Sequence, residues 1–176
     1  MRKPSLPRAI PSPNRRRSMV GALSVLLVAA TGGARAQDAT PAAGETPPGF
    51  ASRAGEILFR AMALLGTRYH RGGSSPETGF DCSGFVGYLY REVLNLRLPR
   101  SAWEIWRHGD EIARDTLEPG DLVFFNTMRR PYSHVGVFIG DSKFIHAPAA
   151  GGVVRTESLN ERYWAKRWNG AKRIGT

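Results

Sequence analysis

The hydrophobic pattern changes period once along the chain, near Gly109, and that change limits the architectures open to it. Before it, apolar residues recur at helical spacing. Ile57, Leu58, Ala61, Met62, Leu64 and Leu65 predict a helix over 52–65, with Gly66 as its stop. A turn-rich loop, 67–79, carries Gly72-Gly73 and Pro76. A second helix opens near Asp81, where Cys82, Phe85, Val86, Leu89, Tyr90, Val93 and Leu94 form one amphipathic stripe. Leu98-Pro99-Arg100 breaks it, and Ser101-Ala102-Trp103-Glu104 has the capping-box pattern of a short third helix. Past Gly109 the period falls towards two. Glu118-Pro119-Gly120-Asp121 predicts a turn, Leu122 to Phe125 a strand, and His134 to Ile139 a second strand. Gly140-Asp141 turns that strand back into Lys143 to Ala147. Strands over 153–156 and 169–174, with a short helix over 159–163 between them, complete the pattern. Helices first and an antiparallel meander afterwards predict an α+β domain.

The termini set the context. Residues 1–36 combine six basic residues (Arg2 to Arg17), an uncharged stretch from Met19 to Ala34 and the triplet Ala34-Arg35-Ala36. This is the layout of a secretory signal cut after Ala36. The apolar part falls short of the roughly 20 residues that span a bilayer, so no membrane span is expected after cleavage. Residues 37–50 read as a flexible spacer and 51–176 as one catalytic-sized domain. Removing 1–36 takes away seven of the 25 basic residues and none of the 15 acidic ones, leaving a net charge of +3 instead of +10. The basic pI therefore belongs mostly to the signal, and nucleic acid is not an expected partner.

Cys82 is the chain's one cysteine, so it has no partner for an internal disulfide. A lone thiol on an apolar stripe is by default a core atom. Its position at a helix start argues for reactivity, because the unpaired N–H groups and the dipole there favour a thiolate. Asp81, the natural N-cap, opposes that charge, so a base is required. His134 starts one strand and His146 lies on the next. With Gly140-Asp141 as the turn, Val135 faces His146 and His134 faces Ala147, which makes the histidines diagonal neighbours in a register that one bulge would alter. One imidazole to deprotonate sulfur and a second to orient the first complete a nucleophile–base–orienter set. A Cys-His-His metal site is the competing reading, weakened by the lack of a short-spaced ligand pair. His70 and His108 read as loop residues.

Several fragments, in order, resemble the NlpC/P60 cysteine peptidases: Gly66-Thr67-Arg68-Tyr69 with Gly72-Gly73, and Asp81-Cys82-Ser83-Gly84-Phe85-Val86. So do Leu98-Pro99-Arg100-Ser101, Pro119 to Phe125, His134 to Gly140, and Phe144-Ile145-His146-Ala147. The resemblance covers the chain from about Ala51 to Ile174, and is strongest to single-domain Gram-negative murein endopeptidases. It implies a papain-like core with the cysteine helix packed on an antiparallel sheet. It also implies Cys82 as nucleophile, His134 as base and His146 as the third polar residue, with no metal and no cofactor. Tyr69 would help with the oxyanion or the substrate. Asp81 and Ser83 would contact the amine of stem peptides that have a free amino end, or else serve simply as the helix cap.

The function expected is an exported, periplasmic, monomeric endopeptidase acting on peptidoglycan stem peptides. Its bond would be the D-alanyl–diaminopimelate cross-link, with the D-glutamyl–diaminopimelate bond as the runner-up. A silent wall-binding domain would have no need of a thiol, and a lipid-processing acyltransferase would want a long apolar cleft.

Overall fold

The computed structural model describes residues 49–149 and 151–175. The expected signal, 1–36, and nearly all of the spacer lie outside them. Among the described residues no helix is long and apolar enough to cross a membrane.

The first helix, α1 (Phe50–Ala63), buries Ala54, Ile57 and Ala61 on one stripe. The loop behind it is not wholly irregular, because β1 (Ser74–Ser75) and β2 (Gly79–Phe80) pair as a small hairpin. The cysteine helix, α2 (Cys82–Leu94), fully covers Phe85, Val86, Leu89 and Tyr90. Each side chain buried in this way stabilises the fold by about 1.5–3 kcal/mol. Asn95, in the left-handed region at φ 52°, ends α2 three residues before the expected break. Helix α3 (Ala102–Trp106) has the predicted capping box, in which the Glu104 N–H donates to Ser101 Oγ over 3.2 Å.

The sheet contains β3 (Asp110–Ile112), β4 (Leu122–Phe125), β5 (His134–Gly140), β6 (Lys143–His146), β7 (Arg155–Ser158) and β8 (Trp168–Arg173), all antiparallel. Its order is β3-β8-β4-β5-β6-β7, so the expected simple meander is corrected: the last strand inserts between β3 and β4. Strand β3 has too little apolar content to show in the sequence. The short helix α4 (Arg162–Ala165) lies between β7 and β8, a few residues later than expected.

The sheet has an apolar layer on each face. Val135, Val137, Leu122, Phe124 and Ile145 pack with α1, α2 and α3 on one side. Val123, Phe125, Phe138, Phe144 and Trp164 form a second cluster on the other. Burial on both faces is why β4 reads as a continuous apolar run and not as an alternating one.

The β5–β6 hairpin turns at Asp141-Ser142, both at positive φ, one residue later than expected. The ladder also slips between Phe138 and Gly140. Upstream of the slip Val137 faces Ile145, so Gly136 comes beside His146 and both histidines lie on one face of the sheet. The expected register would have put them on opposite faces. Gly136 is required here: a side-chain carbon on it would come within 2.8 Å of the Phe144 ring and 3.1 Å of His146 Cβ.

The turn before β4 is held by a buried ion pair. Asp121 is fully buried and accepts from Arg173 Nε at 2.7 Å and Nη2 at 2.9 Å, while the Glu118 N–H donates to it at 2.8 Å. Arg173 Nη1 also reaches Glu118 at 3.0 Å, so losing Asp121 does not strand the guanidinium. Asp121→Ala still removes its charge-assisted hydrogen bonds, and is expected to cost about 1.5–3 kcal/mol, read as a lower urea midpoint; an unchanged midpoint would mean that the pair contributes nothing.

Candidate active site

Cys82 occupies the first position of α2. Its neighbour Asp81 caps the helix, accepting from the Gly84 N–H at 2.6 Å. The same carboxylate accepts from the Gly72 N–H at 3.0 Å and from Arg100, through Nη2 at 3.0 Å and Nη1 at 3.2 Å. Burial pushes the Asp81 carboxyl up, but hydrogen bonds and charge from Arg100 and the cap N–H outweigh it and leave the carboxyl below its usual range. Ser83 Oγ donates to the Arg100 carbonyl at 2.7 Å. At Gly84 the Gly73 carbonyl approaches so closely that no side chain fits. Asp81 and Ser83 thus bind the helix start to the loop before it and to the segment that leads into α3.

His134 is the first residue of β5, and its ring lies on the face away from α2, against Phe125 and Trp164. The sulfur and the imidazole are nevertheless brought to one cavity, of about 420 Å³, because each sits at the end of its element. The backbone of Val135, the residue after His134, is also close enough to act on the thiol. His134 Nε2 lies 2.7 Å from His146 Nδ1, with the rings nearly perpendicular. That bond uses one ring nitrogen of His134 and leaves Nδ1 outside it. Two nitrogens on one zinc, each bound at about 2.0–2.1 Å, would sit more than about 3 Å apart, so the histidine pair is hydrogen-bonded and not arranged as joint ligands.

All three groups favour their neutral forms. Burial pushes the Cys82 thiol up, to about 11, and the Asp81 charge adds to this, while N–H groups of Val135, Ser83 and Cys82 itself work against it. The helix start therefore does not lower this thiol as its position alone predicts. Burial and then His146 hold His134 well below the ordinary imidazole value, against an opposing pull from Glu157. Burial, with the Arg155 charge second, takes His146 down to about 3. The thiol and the imidazole that line the cavity both favour the uncharged form, an arrangement suited to general-base transfer of the thiol proton.

Tyr69 lines this cavity and also a second one of about 850 Å³ on the other side of Cys82. Arg71, Arg100, Arg130 and Trp103 are among the residues of the larger cleft; Arg155, Glu157, Tyr163 and Trp164 are among those of the smaller. Burial, followed by the nearby Cys82 and Asp81, raises the Tyr69 hydroxyl. His70 and His108 are exposed, as their loop positions predict.

Three residues stand out that the pattern did not single out. Arg100 pairs with Asp81, though in the sequence it counted only as part of a helix break and of the Leu98-Pro99-Arg100-Ser101 fragment, with no role of its own. Trp164 stacks on His134 (5.6 Å between centroids, 27°) and meets His146 edge-on at 4.9 Å. Glu157 lies between Arg155, Trp164 and His146. No spacing marks Glu157, since its partners come from separate elements.

Residues 66–173 match the NlpC/P60 family. The chain belongs to that family. It is 45% identical over 122 residues to murein DD-endopeptidase MepH of Escherichia coli K12, covering 68% of this chain and 45% of that one. It is 45% identical over 118 residues to murein DD-endopeptidase MepS/murein LD-carboxypeptidase of the same strain, covering 67% and 61%. Against the gamma-DL-glutamyl hydrolase of Bacillus subtilis it is 37% identical over 143 residues, covering 81% and 32%. The chain thus spans between about a third and three fifths of these relatives. An NlpC/P60 protein structure from Bacillus cereus superposes with a TM-score of 0.65 at 32% identity, covering 69% of this chain and 40% of that one. The NlpC/p60 domain of the peptidoglycan hydrolase SagA gives 0.61 at 30%, covering 69% and 98%. The α+β, papain-like architecture is that of this family.

The buried histidines predict an acid-labile fold. In the unfolded chain an imidazole titrates near 6.5, whereas folded His146 resists protonation down to about 3. Between those values the unfolded state binds more protons, so this stability is complete above pH 6.5 and is lost as pH falls. The urea midpoint is expected to fall between pH 7.5 and pH 4.5, and to fall less in a His146→Asn variant. Equal falls would show that His146 is not a source of the sensitivity.

Proposed function

We propose that the protein is an exported cysteine endopeptidase that hydrolyses peptide bonds in peptidoglycan stem peptides. The observation that carries this reading is that Cys82 and His134 line one cavity while His134 Nε2 is tied to His146, which leaves a single ring nitrogen for the sulfur. The murein and glutamyl hydrolase names of its relatives supply the substrate class. The arginines of the larger cleft suit stems that carry several carboxylates. Export rests on the signal layout of residues 1–36, and places the protein in the periplasm.

In this mechanism the Cys82 sulfur attacks the scissile carbonyl carbon as His134 Nδ1 takes the thiol proton. The carbonyl oxygen becomes an oxyanion, stabilised by the Cys82 backbone N–H and the Tyr69 hydroxyl. The intermediate collapses, the C–N bond breaks, and His134 passes its proton to the leaving amine. Water, deprotonated in turn by His134, attacks the thioester, and the C–S bond breaks to give the carboxylic acid and the free thiol. His146 holds the His134 ring through each transfer. Asp81 and Ser83 act as the cap that fixes the sulfur.

The bond we assign is the D-alanyl–diaminopimelate cross-link. The two carboxylates lining the clefts, Asp81 and Glu157, are each hydrogen-bonded to an arginine, Arg100 and Arg155. Neither is unpaired to receive a free amino end, which favours a substrate within the network over a stem with a free amine. The D-glutamyl–diaminopimelate bond is the second reading, favoured by the likeness to the Bacillus subtilis hydrolase.

Cys82→Ala and His134→Ala are expected to lower digestion of purified sacculi by at least about a thousandfold. Wild-type rates from either variant would end the proposal. Mass spectrometry of products from cross-linked muropeptide dimers should show monomers with intact stems; cleavage after D-glutamate would transfer the assignment to the second bond. Because the base is depressed by burial, kcat/KM should hold its plateau as pH falls through the ordinary imidazole value of 6.5, and decline only below it. A half-maximal point at 6.5 or above would contradict the buried, neutral base.

A further inference from the structure

His146 Nε2 is fully buried and has no hydrogen-bond partner. The atom in front of it is Glu157 Oε1, 3.7 Å away. Glu157 is itself held from two sides. Arg155 reaches Oε1 through Nε and Nη2, each at 2.6 Å, and the Trp164 indole N–H donates to Oε2 at 2.7 Å. The same Trp164 ring covers both imidazoles. Strand β7 and helix α4 thus fix a carboxylate against the outer nitrogen of the histidine pair, a contact that the nucleophile–base–orienter set leaves unused.

We infer that Glu157 is a positioning residue that selects the tautomer of the His134–His146 pair and so keeps His134 Nδ1 free to accept a proton. This rests on the reading of Cys82 as nucleophile and His134 as base. A neutral pair joined from Nε2 to Nδ1 at 2.7 Å holds one hydrogen in the bond, and it belongs to one ring or the other. If His134 donates from Nε2, its Nδ1 carries a lone pair, and His146 carries its hydrogen on Nε2. If His146 donates from Nδ1, then His134 is protonated on Nδ1 and cannot act as base, while His146 Nε2 presents a lone pair outward. A carboxylate opposite Nε2 attracts an N–H and repels a lone pair. Glu157 therefore favours the first arrangement, which is the one able to act. The groups facing the pair are His134 from β5, His146 from β6, Arg155 and Glu157 from β7 and the Trp164 indole from α4. Arg155 holds the carboxylate in place through Nε and Nη2.

Glu157→Leu makes the test sharp, because it keeps much of the volume and removes the carboxylate; Gln would not, since Arg155 would hold the amide oxygen where Oε1 stands. With the carboxylate gone nothing opposite His146 Nε2 attracts an N–H, and the Arg155 cation nearby favours a lone pair there, which selects the wrong tautomer. The experiment uses the full chain with 15N-labelled histidine. Nitrogen chemical shifts should assign His134 as protonated on Nε2 in the wild type, and as partly or wholly protonated on Nδ1 in Glu157→Leu. Alkylation of Cys82 by iodoacetamide at pH 7.5, and kcat/KM on cross-linked muropeptide dimers, should both fall about 10–100-fold. The loss should lie in kcat with little change in KM, Glu157→Asp should recover part of it, and the thermal midpoint should stay near that of the wild type. Wild-type tautomers and wild-type alkylation in both Glu157→Leu and Glu157→Ala would overturn the inference. So would a loss of rate matched by a lower thermal midpoint with the tautomer unchanged, since that is a folding effect. A tautomer that responds to Glu157 in a protein unable to cut muropeptides would uphold the inference while ending the hydrolase reading.

Discussion

The hydrogen bond between His134 Nε2 and His146 Nδ1 joins two strands at the point where the sheet meets the start of the cysteine helix. It exists only because the β5–β6 ladder slips near Ile139 and brings both rings to one face. It also needs Gly136, since a larger residue would push His146 away. Trp164, Phe125 and Phe144 close over the rings and exclude water. With one nitrogen of His134 committed, the chemistry of the other is defined, and the sheet, the bulge and the aromatic cover all serve that single arrangement.

Burial is the dominant influence on the site. At a helix start one expects a stabilised thiolate, yet the half-buried sulfur loses more solvation than the helix end returns, and the Asp81 charge adds to the loss. The same effect keeps both imidazoles neutral. The result is a thiol and two imidazoles that favour their neutral forms at rest and develop charge as the proton moves, with the ion pairs Asp81–Arg100 and Glu157–Arg155 set around them. Asp81 meanwhile spends its charge locally, on the cap and on Arg100, so the residue nearest the sulfur serves architecture first.

Much of this was legible in the residues. The stripe from Cys82 to Leu94 and the box at Ser101 and Glu104 follow from local periodicity and capping, and both appear as expected. Cys82, His134 and His146 could be picked out as candidates from residue type, and the fold brings Cys82 and His134 to one cavity and bonds His134 to His146. What escaped was long-range. The insertion of β8 beside β4 is decided by packing across 45 residues or so of chain, not by any local signal. The slip near Ile139 is a one-residue event that reverses which face His146 occupies, and alternation cannot foresee it. Glu157 and Trp164 matter through partners on other elements, so each looks ordinary in its own segment.

The central claim is that one thiol, activated by His134, carries out the reaction. Because Cys82 is the only cysteine, stoichiometric alkylation modifies this site alone. Samples taken along an iodoacetamide time course can be scored for adduct by intact mass and for activity on purified sacculi. The account predicts that activity falls in direct proportion to free thiol and reaches background at full modification. A fully alkylated protein that still digests sacculi at the unmodified rate would contradict it.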